Sequence, residues 1–346
     1  MARTGTVAME ARQVDGLPDG KGWQYEPKWD GFRCLARRDG DEVELLGRSG
    51  KSLSRYFPEM VAALAGVKHR RFVLDGELVI PVAKSLSFEA LQMRLHPAAS
   101  RIRRLAEETP SLLIAFDLLE DEKGRDLQAE PLSGRRAALE RFFATLGAAE
   151  AFRLSPKTTR LADARRWLSR AGGGALDGVM AKRLDESYKA GERAMLKIKN
   201  LRSADCVVGG FRYATARKEG RKEVGSLLLG LYDEAGLLDH VGFTSALGSL
   251  DRKVLTAKLE KLKGGGFTGD APGGPSRWST ERTTQWVPLK PKLVVEVQYD
   301  HVTGRRFRHG TGFLRWRPDK APRDCSFDQL VQEDRPSRVM RLLKSA

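Results

Sequence analysis

The chain has 346 residues, 41% hydrophobic and 31% charged, a balance that suits folded globular domains and excludes a disordered chain. It is long enough for two domains with separate cores, and no apolar run approaches the roughly 18 residues needed to cross a bilayer. Lysine and arginine total 61 against 45 aspartate and glutamate, and the net charge of +16 favours a polyanionic partner, most simply nucleic acid.

The opening residues, Met1-Ala-Arg-Thr-Gly-Thr, lack the apolar core of a signal peptide, so a cytoplasmic protein is expected. Alternation on either side of Asp30-Gly31, a turn signal, predicts a strand–turn–strand. Further strands are expected at 43–47, 72–80, 112–119 and 176–183, where β-branched and apolar residues cluster. Between them lie three helical patterns. One starts near Pro58 and carries Met60, Val61, Leu64 and Val67 on one face. A second spans 134–146 with Leu139, Phe142, Phe143 and Leu146, and a third covers 161–168 before three glycines at 172–174.

After Asn200 the texture changes. Strand-like runs at 206–213, 224–232, 237–244, 292–300 and 313–317 surround a single helical pattern at 249–262. The stretch 264–278 is a flexible loop by composition. Several short strands with one helix suit a small barrel such as an OB-fold. The expected division is an α+β domain over 1–202 followed by a β-rich OB-fold domain over 203–346.

Three cysteines, Cys34, Cys206 and Cys325, are widely spaced with no C-x-x-C pair, which suits reduced thiols. Five histidines with no H-E-x-x-H arrangement argue against a zinc enzyme.

One segment carries chemistry. In Glu26-Pro-Lys-Trp-Asp-Gly-Phe-Arg33 a lysine stands just ahead of a turn, where rigid backbone can project it into a pocket. Taken alone this is a charged hairpin. It is followed, in order, by Arg48-Ser49-Gly50, 74-LDGELV-79, 115-AFDLL-119, 177-DGVMAK-182, 196-LKIK-199 and 315-RWRPDK-320. Taken singly, Phe116 is a core residue of an apolar strand, Glu77 a polar strand residue, and Lys197 with Lys199 a solvated strand face.

Together these segments resemble the covalent nucleotidyltransferases, and among them the ATP-dependent DNA ligases, across residues 26 to 320. K-x-D-G-x-R is that superfamily's nucleophilic motif, matched by Lys28, Asp30, Gly31 and Arg33. The short form resembles the bacterial C-type ligases and the ligase module of the D-type enzymes, which implies a role in repair.

The resemblance implies an adenylation domain, an OB domain and a reaction in which Lys28 takes AMP from ATP, with Mg²⁺ or Mn²⁺ as cofactor. Glu26 would lie near the adenine through its backbone, Phe116 would stack on the base, and Arg48 and Glu77 would hold the ribose. Asp177, with Glu77, would ligate metal, and Lys197 and Lys199 would grip the α-phosphate. Arg317 and Lys320 would meet the departing pyrophosphate, with Asp319 orienting it, and Arg33 would contact the phosphate at the nick.

The chemistry explains these residue types. An unperturbed lysine, with a pKa of about 10.4, is almost wholly protonated at neutral pH, and freeing its amine costs roughly 4 kcal/mol. Nearby cations lower that cost. Two departures from the family pattern stand out: Asp177 is one methylene shorter than the usual Glu, and Met195 replaces a Trp common in bacterial relatives.

The expected partner is nicked duplex DNA bound by a monomer, with no membrane. Only 27 residues precede Lys28, so DNA is expected to be held by the two core domains and by loops. The glycine-rich 264–278 and the basic 216–223 are each either such a loop or a solvated one. Arg315 and Trp316 serve either DNA binding or packing of the barrel. The competing readings are an RNA ligase, a capping-type guanylyltransferase that would take GTP, and a non-catalytic nucleic-acid-binding scaffold.

Overall fold

A computed structural model of the chain describes residues 7–83, 85–146, 150–171, 176–214, 223–248, 250–273 and 285–330. The chain divides into two compact units, the second beginning at Leu201.

The first unit contains, in order, β1 (Ala11–Gln13), β2 (Trp23–Trp29), β3 (Phe32–Asp39), β4 (Glu42–Gly47), α1 (Pro58–Gly66), β5 (Arg71–Val79), α2 (Phe88–Arg94), α3 (Ala99–Glu108), β6 (Leu112–Glu120), α4 (Leu132–Thr145), β7 (Phe152–Leu154), α5 (Leu161–Ser169), β8 (Leu176–Arg183) and β9 (Met195–Ile198). The strands form a four-stranded sheet in the order β1-β9-β8-β2 and a five-stranded sheet in the order β4-β3-β5-β6-β7.

The strands expected on either side of Asp30-Gly31 form, but they do not pair with each other as a hairpin would. β2 pairs with β8, whereas β3 pairs with β4 and β5. Asp30-Gly31 is therefore a crossing from one sheet to the other, not a hairpin. Gly31 is needed for close approach: a Cβ there would fall 2.2 Å from the Leu78 carbonyl oxygen.

Helix α1 begins with Pro58, whose fixed φ and missing N–H suit a first turn, and buries Met60 and Leu64 completely. On α4, Leu139 and Phe142 face inward, and the Phe142 ring meets Phe72 of β5 edge-on, centroids 5.1 Å apart. These contacts seal one face of the five-stranded sheet and leave its other face to line a cleft.

The second unit contains β10 (Arg202–Tyr213), β11 (Val224–Tyr232), β12 (Leu238–Ala246), α6 (Arg252–Glu260), β13 (Val294–Tyr299) and β14 (Thr311–Trp316). Its strands pair in the cycle β10-β11-β12-β14-β13-β10, with β12 and β14 parallel and the other pairs antiparallel. A closed five-stranded barrel with one helix between its third and fourth strands is the OB-fold. Asp251 caps α6, accepting from the backbone N–H of Lys253 and Val254 at 2.9 and 3.1 Å.

The glycine run at 264–266 is not loose. All three residues have positive φ, and the Gly264 and Gly266 amides donate to the Pro288 and Leu289 carbonyls. Phe267 follows and packs 5.5 Å from the Trp286 ring. The remainder of that loop at 274–278, the three glycines at 172–174 and the basic residues at 216–222 lie outside the described residues.

Among the described residues no helix is long and apolar enough to cross a membrane. Cys34, Cys206 and Cys325 are all free and buried.

Candidate active site

A cleft of about 190 Å³ in the first unit is lined from both sheets. From the four-stranded sheet come Glu26, Lys28, Met180, Lys182, Met195 and Lys197, and from the five-stranded sheet Arg33, Glu77 and Phe116. Strand geometry explains the grouping. Side chains two apart share a face, so Gln24, Glu26 and Lys28 point the same way along β2. In register, Lys28 faces Gly178, Glu26 faces Met180, and Met180 in turn faces Lys197.

Two irregularities aim further residues at the cleft. The β8–β2 register shifts between Leu176 and Gly178, which leaves Asp177 as the extra residue of a bulge beside Lys28. The β5–β6 register shifts between Asp75 and Gly76, and there the extra residue is Phe116. Gly178 permits the first bulge, since a Cβ would lie 2.0 Å from the Ile198 carbonyl oxygen of β9.

Around the Lys28 ammonium the charges alternate. It donates to Asp177 Oδ2, and Lys199 Nζ approaches that same oxygen at 3.3 Å. Lys197 is pushed below the usual lysine range by burial and by the neighbouring charges of Lys28 and Lys199. Burial pushes the Glu77 carboxyl up to about 7, with Lys28 and Arg33 opposing the shift. Lys28, Asp177, Lys197 and Lys199 thus lie together.

The aromatic position is more crowded than expected. Phe116 is only 8% exposed, and the Arg33 guanidinium and the Lys182 ammonium lie 4.6 and 4.5 Å from its ring centroid. Arg33 is anchored by Asp75, with Nη2 donating to Oδ2 at 2.6 Å, and Asp75 also accepts from the Tyr188 hydroxyl at 2.7 Å. Glu26 is buried side chain and all. It accepts from Lys182 Nζ at 2.8 Å and Gln24 Nε2 at 2.7 Å. Arg48 is exposed at the rim, 3.4 Å from Glu10.

Arg317, Asp319 and Lys320 lie in the second unit. There Arg317 pairs with both Asp319 and Asp205, and Lys320 Nζ comes within 3.6 Å of Asp205. Arg317 holds the Asp319 carboxyl down at about 2.

Several residues escaped the sequence reading: Lys182, Asp75, Tyr188, Asp205 and the cleft-lining Met9 and Glu10. Lys182 and Asp75 were inside quoted motifs, where only alternation along β8 and β5 marks them as cleft-facing. Tyr188 and Asp205 carry no local signal, because their partners are distant in sequence.

Comparisons with known proteins bear on the family. Residues 9–199 match the family described as ATP dependent DNA ligase domain, and residues 220–320 match the ATP dependent DNA ligase C terminal region. The chain is 46% identical over 350 aligned residues to DNA ligase C2 of Mycolicibacterium smegmatis, covering 96% of each. It is 29% identical to the multifunctional non-homologous end joining DNA repair protein LigD of Mycobacterium tuberculosis, covering 99% of this chain and 39% of that one. A Lig E DNA ligase structure shares the fold at a TM-score of 0.57 and 19% identity, covering 91% of this chain and all of that one. The RNA-ligase, capping and scaffold readings give way to these matches, and the chain belongs to the ATP-dependent DNA ligase family.

Proposed function

We propose that this protein seals nicks in duplex DNA through a covalent Lys28–AMP intermediate. The observation that carries the reading is the surrounding of the Lys28 amine: the Asp177 carboxylate at hydrogen-bonding distance, and Lys197 and Lys199 beside it, at a cleft whose lining includes the aromatic Phe116 and Trp29. That is a setting for an amine attacking a phosphate, with cations to take up the developing charge.

In the first step the neutral Lys28 nitrogen attacks the α-phosphorus of ATP. The N–P bond forms as the bond to the bridging oxygen breaks, and pyrophosphate leaves. Lys197 and Lys199 are the candidates to stabilise the α-phosphate oxygens, Phe116 to support the base, and Arg48 and Glu77 to hold the ribose. Arg317 and Lys320, with Asp319, are the candidates for the leaving pyrophosphate. AMP then passes to the 5′-phosphate of the nick, near Arg33, and the 3′-hydroxyl displaces it to close the strand.

Among the described residues no three His, Cys, Asp or Glu side chains gather into a metal cage. Mg²⁺ or Mn²⁺ needs only one or two carboxylates from a protein, with substrate oxygens and water completing the shell. Asp177 and Glu77, both beside Lys28, are the carboxylates that would hold it. When bound, such an ion neutralises phosphate charge.

The R-x-D-K motif formed by Arg317, Asp319 and Lys320 is needed for the first step alone, so the junction at 200–204 is the candidate hinge. Locking it with an engineered disulfide should block turnover while sparing at least one partial reaction. The likeness to LigD, named as a repair protein, supports a repair role. The test is sealing of a labelled nicked duplex with ATP and Mg²⁺ across a salt series. Sealing that requires ATP, is lost in Lys28→Ala and falls steeply with salt fits the proposal. Failure of the folded wild-type protein to seal any nick would sink it.

A further inference from the structure

The second unit holds its two motif cations on one carboxylate. Arg317 Nη1 donates to both oxygens of Asp205 at 2.8 and 2.9 Å, while Nε and Nη2 donate to Asp319 at 3.0 and 2.8 Å. Lys320 Nζ lies 3.6 Å from Asp205 Oδ2. The guanidinium is thus clamped from two sides. The two sides are not equal: the Asp319 side chain is 60% exposed and Asp205 only 11%. An exposed pair is screened by water and weakly held, whereas a sheltered one is not. An incoming phosphate anion can therefore displace Asp319 from the guanidinium while Asp205 keeps its grip.

The backbone of Asp205 serves the fold separately. Its N–H donates to Gln329 Oε1 at 2.9 Å, its carbonyl accepts from Gln329 Nε2 at 3.2 Å, and in the β10–β13 ladder it faces Glu296. The side chain is directed instead to Arg317 and Lys320. Asp205 holds one corner of the guanidinium through Nη1 and Asp319 holds the Nε/Nη2 edge, so the orientation of Arg317 is fixed before any substrate arrives, and Asp205 keeps the Nη1 corner in place when Asp319 is displaced.

We propose that Asp205 is a positioning residue for the adenylylation step. Its carboxylate holds Arg317 and Lys320 as one preset cationic pair for the leaving pyrophosphate. This rests on the reading of the R-x-D-K motif given above.

The test is Asp205→Asn, which keeps shape and the backbone bonds to Gln329 while removing the charge. Two rates are measured on the same protein: Lys28–AMP formation against ATP concentration, and sealing of a nick already carrying AMP on its 5′-phosphate. The proposal expects adenylylation slowed by about tenfold or more, the size of one lost charge-assisted contact. Sealing of the pre-adenylylated nick should stay within about twofold, Asp205→Glu should recover part of the loss, and Asp205→Asn should add little in an Arg317→Ala background. Adenylylation at the wild-type rate would overturn the proposal. So would a parallel fall of both rates with the unfolding temperature, since that marks a purely structural residue. A wild-type protein that forms no adduct with ATP would defeat the underlying functional reading instead, and this proposal with it.

Discussion

Replacing Glu26 by Gln should destabilise the first unit by about 2–4 kcal/mol. The Glu26 and Lys182 side chains are only 2% and 4% exposed, and they meet at 2.8 Å. Glutamine keeps the shape and a hydrogen-bonding oxygen but removes the carboxylate that pairs directly with the Lys182 ammonium. Breaking one partner of a buried pair costs about 3–5 kcal/mol, because the other charge stays in a poorly solvated place. The Phe116 ring, 4.5 Å from Lys182, returns about 1 kcal/mol through its face. The difference corresponds to a fall of about 5–15 °C in the unfolding temperature of a unit this size. Calorimetric unfolding measures the loss, and amide exchange in β2 and β8 assigns it to the first unit. The double variant Glu26→Gln/Lys182→Met should be more stable than Glu26→Gln alone, because no charge is then stranded. A loss below about 1 kcal/mol for Glu26→Gln, or a double variant weaker than the single one, would refute the argument.

Other expectations follow from the same geometry. Gly178→Ala places a Cβ 2.0 Å from the Ile198 carbonyl, so β9 must shift with Lys197 and Lys199; adduct formation on Lys28 should drop by about tenfold or more, read by intact mass over time. Burial raises the Glu77 carboxyl from 4.5 to about 7, so its folded form binds the proton more tightly than its unfolded form. Its destabilising contribution is absent below pH 4.5, grows as pH rises towards 7 and is complete above that. Glu77→Gln should accordingly be more stable than wild type at pH 8, by up to about 3 kcal/mol, and show no such advantage at pH 4.5 in urea unfolding. His240 runs the opposite way: burial, with Arg306 and Arg212, lowers it from 6.5 to about 3. The second unit should lose stability as pH falls from about 6.5 towards 3, and His240→Asn should flatten that slope.

Much of the fold was legible because its strands carry the motifs. The runs at 72–80, 112–119 and 176–183 became β5, β6 and β8 with ends within a residue or so, and the barrel strands followed their apolar runs. Helices α2 and α3 were not read. The first is short and marked mainly by the Ser87 cap, and the second is dominated by arginines around a narrow stripe of Ile102, Leu105 and Ala106. Asp30-Gly31 read as a hairpin because local sequence gives the turn residues but not the partners of the flanking strands. The two bulges were equally invisible. A one-residue slip in register depends on both strands, and it is what carries Asp177 and Phe116 to the cleft. Lys28, Lys197 and Lys199 were singled out from motif order, whereas Tyr188, Asp75 and Asp205 depended on contacts over 100 residues of sequence, as between Tyr188 and Asp75.

The central claim is that Lys28 takes AMP from ATP. The direct measurement is the intact mass of the purified protein, denatured after incubation with Mg²⁺ and either ATP or GTP, with Lys28→Ala alongside. One added AMP with ATP only, absent from the variant, is the predicted result. An adduct that survives in Lys28→Ala, forms with GTP instead, or never forms on a folded and initially unmodified protein would contradict it.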